Sequence, residues 1–125
     1  MQVRQGKSPA PALSIAHMSM LELAPPDVVS CAADAGFQAV NLRLSPAREG
    51  EAPFPMGVGS TMLRETRQRL DATGVQVRDV EVIKIQAGGQ ASEFDSLFES
   101  AAALGARRVI TISLDPDKAR TAAAL

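Results

Sequence analysis

Along the chain the apolar positions switch between two periods, and a glycine marks each of three switches. In ADAGFQAVNLRL, DATGVQVRDVEVIKI and AALGARRVITISL, an amphipathic stretch stops at Gly36, Gly74 or Gly105, and an apolar or β-branched run begins within two residues. Glycine there fits the left-handed residue that closes a helix, so the repeat reads helix, glycine, strand. Before Gly36, Pro25, Pro26 and Asp27 mark a helix start, with Val28, Val29, Ala32 and Ala35 on one face. Ser60 is placed to cap a second helix whose less polar side is Leu63, Thr66 and Leu70. In the third, Ser92 stands three residues ahead of Asp95 as a shortened capping box, and Phe94, Leu97, Phe98, Ala101 and Leu104 form an apolar stripe. A fourth helix starts at SLDPDKARTAAAL, with Asp115 as N-cap and Pro116 in the first turn, and runs only about two turns.

The strands fall at residues 12–17, 37–44, 75–83 and 108–113. Strands alternating with helices predict an α/β fold with a parallel sheet of right-handed βα units. The second strand alternates, with Val40, Leu42 and Leu44 on one face and Ala39, Asn41 and Arg43 on the other; the third opposes Val80 and Val82 to Asp79 and Glu81. Central strands of a doubly wound sheet are apolar on both faces. One helix-facing side and one side turning polar toward the strand ends match instead a barrel lumen opening onto a C-terminal mouth. A (β/α)8 barrel takes ~250 residues, so the expectation is a partial TIM barrel of about four βα units over residues 12–125, cut short, after a disordered leader over 1–11.

Composition narrows the partners. With 13 basic against 14 acidic residues, no Trp or Tyr and 4 Phe, the chain lacks the positive field and the stacking platforms of a nucleic-acid binder. No stretch approaches the ~20 apolar residues of a membrane span. A single cysteine, Cys31, excludes an internal disulfide and a multi-cysteine zinc site, which fits a reducing, cytoplasmic setting. It is expected as a small core residue of the first helix.

The segments LSIAHMSMLELAPPDVVSCAADAGFQAVNLRL, LRETRQRLDATGVQVRDVEVIKI and FESAAALGARRVITISLDPDKAR resemble the first half of the sugar phosphate isomerase/epimerase group, the xylose-isomerase-like (β/α)8 barrels, from about Leu13 onward. The resemblance rests on spacing and on strand entries such as LGARRV. It implies isomerase or epimerase chemistry, a proton moved beside a sugar carbonyl with a divalent metal (Mn, Mg, Zn or Co) as cofactor. The metal of that group is commonly held by two Glu, an Asp and a His on the last four strands. Those strands have no counterpart here, so no metal ligand is assigned and the chain is expected to be inactive alone. Alternatives are a half barrel that pairs with itself and a flavodoxin-like small-ligand module. Position of the first strand separates them: at an edge in the half barrel, central in the doubly wound sheet.

Within that frame the candidate residues follow from chemistry and from position at the mouth. Glu81 is the candidate acid or base, since a carboxylate desolvated in a lumen transfers protons; its competing role is a structural ion pair. His17, the only histidine, ends the first strand and is a candidate substrate contact, or a core histidine satisfied by hydrogen bonds. Asn41 and Arg43 are candidate substrate ligands, Arg43 through a fork onto phosphate or carboxylate, or through a salt bridge to Asp79 or Glu81. Lys84 and Ser113 complete the substrate-binding set. The long loop SPAREGEAPFPMGVGS after the second strand brings Phe54 and Met56 toward any bound ligand. Sugar or sugar-phosphate is the expected small-molecule partner, and open sheet edges predict homo-oligomers.

Overall fold

Four parallel strands lie side by side in chain order, with a helix after each. The computed structural model describes residues 12–46 and 48–125; the leader expected over 1–11 lies outside them. The elements are β1 (Ser14–Ala16), α1 (Pro25–Asp34), β2 (Ala39–Arg43), α2 (Thr61–Thr73), β3 (Gln76–Ile85), α3 (Asp95–Ala103), β4 (Arg108–Ser113) and α4 (Lys118–Ala124). Short 3-10 turns at His17–Met20 and Ala91–Phe94 follow β1 and precede α3. All three strand pairs are parallel and the order is β1-β2-β3-β4, which places β1 at an edge. A doubly wound sheet reverses its strand order to make a ligand crevice. No reversal exists among these four strands, so the flavodoxin-like alternative falls and an α/β, partial-barrel arrangement of four βα units remains.

The glycine punctuation is what sets the helix ends. Gly36, Gly74 and Gly105 have φ of 84°, 75° and 77°, and the Gly74 N–H donates to the Leu70 carbonyl at 2.9 Å to close α2. Ser60 caps α2, its Oγ accepting from the Leu63 N–H at 3.2 Å. Two caps differ from expectation. Ser92 falls inside a 3-10 turn and α3 begins without a side-chain cap. Asp117, not Asp115, caps α4 and accepts from the N–H groups of Ala119 and Arg120. Asp115 is instead held by Arg120 in a two-pronged pair, Nη2 to Oδ1 at 2.7 Å, and accepts from the Asp117 N–H at 2.9 Å. Hydrogen bonding from Arg120 is the main reason its carboxyl titrates as low as about 2.

The core lies between the sheet and α1, α2 and α3, built on Val40, Leu42, Val80, Ile83 and Ile85 beneath Val28, Val29, Ala32, Leu63, Leu97 and Ala101. Asp27 of α1 accepts from Arg69 of α2 at 2.6 Å, joining those helices at the surface. Val82 does not share the face of Val80. The register of β3 against β4 slips between Glu81 and Ile83, so Val82 is the extra residue of a bulge and the core resumes at Ile83 and Ile85. Cys31 is exposed, a correction to its expected core position: at 100° per residue it sits well off the arc of Pro25, Val28, Val29 and Ala32. Met56 leaves the loop for the core, where its sulfur lies 3.8 Å from the Thr66 hydroxyl, which donates to the Met62 carbonyl at 2.7 Å.

Leu42 is fully buried at the centre of this core. Leu42→Ala is expected to lower the unfolding free energy by about 2–5 kcal/mol, measured by urea denaturation. Truncating the partly exposed Phe98 to Ala is expected to cost clearly less.

Candidate functional site

The strand face turned away from the helices carries the polar residues that the pattern placed there. β2 is buried along its whole length, so Asn41 and Arg43 are buried although they point away from the helical core. Register sets Asn41 beside Asp79 and Arg43 beside Glu81. Arg43, only 5% exposed, has Nε at 3.6 Å from Glu81 Oε1 and Nη1 at 3.6 Å from Oε1 of Glu51, which reaches in from the loop after β2. Those separations are ion pairs without a hydrogen bond. Asn41 Oδ1, Arg43 Nε and Glu81 Oε1 are all buried with no hydrogen-bond partner among the described residues. The open choice for Arg43 between Asp79 and Glu81 resolves onto Glu81. Asp79 faces Arg108 at 4.0 Å instead.

His17 is fully buried, and both ring nitrogens are engaged by backbone. The Arg43 N–H donates to Nδ1 at 3.1 Å, and Nε2 lies 2.8 Å from the Leu23 carbonyl. A backbone N–H only donates and a carbonyl only accepts, so the ring is neutral with its proton on Nε2. Burial is the largest cause lowering its pKa below 6.5; the Leu23 carbonyl opposes it, Arg43 adds to it, and Glu81 and Glu51 oppose it. Phe54 stacks on the ring with centroids 5.7 Å apart. In this arrangement His17 joins β1, β2 and the entry to α1, and it offers no free polar atom to a ligand.

The other candidates divide. Lys84 is half-buried beside Ile112, on the same side as Glu81, since its neighbours Ile83 and Ile85 face the core. Ser113 is not brought into this group. It pairs with Ile85 on the helix side, where its hydroxyl meets the Thr121 hydroxyl at 2.7 Å and accepts from the Asp115 N–H at 3.1 Å. Glu51 and Ser45 were not legible as site residues. Ser45 Oγ is hydrogen-bonded to both the N–H and the carbonyl of Val82, which pins the β2 end to the bulge. Among the described residues no three His, Cys, Asp or Glu side chains converge to hold a metal ion. The described residues do not fit the metal of the resemblance.

No family model and no curated protein matches the chain. Among solved structures, a xylose isomerase-like TIM barrel/4-hydroxyphenylpyruvate dioxygenase fusion protein superposes with a TM-score of 0.57 at 19% identity, covering 83% of this chain and 16% of that one. At that identity the likeness shows the fold, and the chain spans about a sixth of the fusion protein's length.

The geometry sets the sign of a pH effect. With its folded pKa below 6.5, His17 binds protons more readily in the unfolded chain, so its stabilisation is complete above pH 6.5 and is lost as pH falls below it. Asp115 acts lower, its stabilisation fading as pH falls from 3.8 through about 2. In urea titrations stability is expected to decline from pH 6.5 to 5. His17→Ala, less stable at pH 7.5 by roughly 1–3 kcal/mol, should flatten that part of the profile and leave the lower branch in place.

Proposed function

We propose that this chain is the substrate-facing first half of a sugar or sugar-phosphate isomerase or epimerase barrel, contacting substrate through Asn41, Arg43 and Glu81 at the carboxyl ends of β2 and β3, with Lys84 beside them. The carrying observation is the set of three buried polar atoms on that side of the sheet that lack a hydrogen bond among the described residues. A hydroxyl group both donates and accepts, so it suits the gap between Arg43 Nε and Glu81 Oε1, and a second hydroxyl suits Asn41 Oδ1. The xylose isomerase-like fold supports the same reading, since barrel enzymes act at this end of their strands. In it, Glu81 holds or moves a proton at a substrate hydroxyl and Arg43 orients that oxygen. The divalent metal belongs to residues other than these four strands supply. Calorimetry with Mn2+ or Zn2+ is therefore expected to show no micromolar site on this chain.

The direct test follows the Arg43 Nε–H and the Asn41 side-chain amide by NMR during titration with free and phosphorylated pentoses and hexoses. Saturable millimolar shifts that weaken about tenfold (about 1.4 kcal/mol) in Arg43→Lys are expected. Silence of both groups across the panel would reject the reading.

One observation favours a second role, pairing of the half barrel with itself. Ile110 and Ile112 of the edge strand β4 are 42% and 45% exposed on the lumen side, and among the described residues no strand pairs with the outer edge of β1 or β4. Sedimentation is expected to show dimers or larger species, which Ile110→Lys should reduce; a monomer at every concentration would count against it.

A further inference from the structure

The amino-terminal end of the sheet, opposite the Arg43 cluster, carries a separate feature. Between α2 and α3, beneath the starts of β3 and β4, lies a groove of about 890 Å³, within the ~300–1,000 Å³ typical of small-molecule sites. Leu70 and the largely buried Val75, Val77 and Leu104 form its apolar floor. Arg67, Arg78, Arg107 and Arg108 line it as well, against one acid, Asp71. Four exposed arginines thus border one groove of a chain whose net charge is −1.

These arginines are not spent elsewhere. Arg67, Arg78 and Arg107 form no ion pair among the described residues, and Arg108 approaches Asp79 only to 4.0 Å. The helix ends nearby do not account for them either. The N–H groups of Gly74, Gly105 and Ala106 already close α2 and α3 by donating to Leu70, Ala102 and Ala101, and a helix terminus favours a neighbouring cation without requiring four. Every wall of the groove comes from within the four βα units, so it does not depend on what adjoins β1.

We propose that this groove binds a small anion with two adjacent phosphoryl groups, its guanidinium forks taking the phosphoryl oxygens and its apolar surface taking any ring attached to them. One phosphate monoester carries roughly −1.5 to −2 at pH 7, so two adjacent groups match the net charge of three positive better than one. A concave groove on a chain without Trp or Tyr suits a compact ligand better than a nucleic-acid strand.

Calorimetry at low salt with inorganic pyrophosphate, a nucleoside diphosphate and the unphosphorylated nucleoside tests this on the full chain. Saturable one-to-one binding of pyrophosphate is expected, with affinity falling at least fivefold in Arg78→Ala and in Arg107→Ala. Both side chains are exposed, so folding is expected to persist, checked by circular dichroism; Arg48→Ala, outside the groove, should bind as the parent does. Tighter binding of the nucleoside diphosphate would assign the apolar surface to a base, and equal binding would assign the site to free diphosphate. No saturable pyrophosphate binding, equal binding by the arginine variants, or binding only of long polyanions such as heparin would overturn the proposal. Free sugars acting at the Arg43 cluster should not compete, so failure of either site leaves the other standing.

Discussion

Helices cover only one face of this parallel sheet, and that sidedness governs what the other face must contain. On the covered side Val40, Leu42, Val80, Ile83 and Ile85 pack without polar groups. On the other side β2, flanked by two strands, is buried as well, so Asn41 and Arg43 give up water without gaining helices. Desolvating a guanidinium costs several kcal/mol unless partners replace the water. Glu81 across the ladder and Glu51 from the loop supply the countercharge. They do so at 3.6 Å, which more than offsets the charge but forms no hydrogen bond. The local chemistry is one buried guanidinium between two carboxylates, short of hydrogen-bond partners among the described residues.

The strand ends are closed by side chains where the backbone ladder stops. β1 pairs with β2 only as far as Ala16 and Asn41 before the chain turns into a 3-10 helix, and the imidazole of His17 receives the next N–H, from Arg43. Between β2 and β3, the Leu44 N–H reaches the Glu81 carbonyl at 2.7 Å, and Ser45 then binds both backbone groups of Val82 at the bulge. These two side chains fix the backbone on either side of Arg43. The guanidinium therefore projects from a strand end whose backbone is held on both sides.

Local signals were legible in the sequence wherever one residue type has one physical use. Gly36, Gly74 and Gly105 take the left-handed conformation that ends a helix, and Ser60 caps as its position suggests. The parallel βα repeat and the polar side of β2 follow from period alone. What stayed hidden depends on distant parts of the chain. A one-residue bulge moves Val82 off the core side, which strict alternation cannot anticipate. Asp115 and Asp117 both suit a cap, and only the reach of Arg120 decides between them. Ser113 lies on the helix side because β4 alternates from the core-packed Val109, which leaves the more apolar Ile110 and Ile112 on the other face, and Glu51 sits in a loop without periodicity.

The two ends of the sheet solve opposite electrostatic problems. At the carboxyl end one desolvated guanidinium stands between two carboxylates, where a further anion would meet net negative charge and a neutral hydrogen-bonding group would not. At the amino end four exposed arginines border a groove with one aspartate, where an anion releases water at little cost. A barrel strand therefore does not impose one chemistry along its length. β3 carries Arg78 near its start and Glu81 three residues on, and the difference in burial between them separates a solvated basic end from a desolvated acidic one.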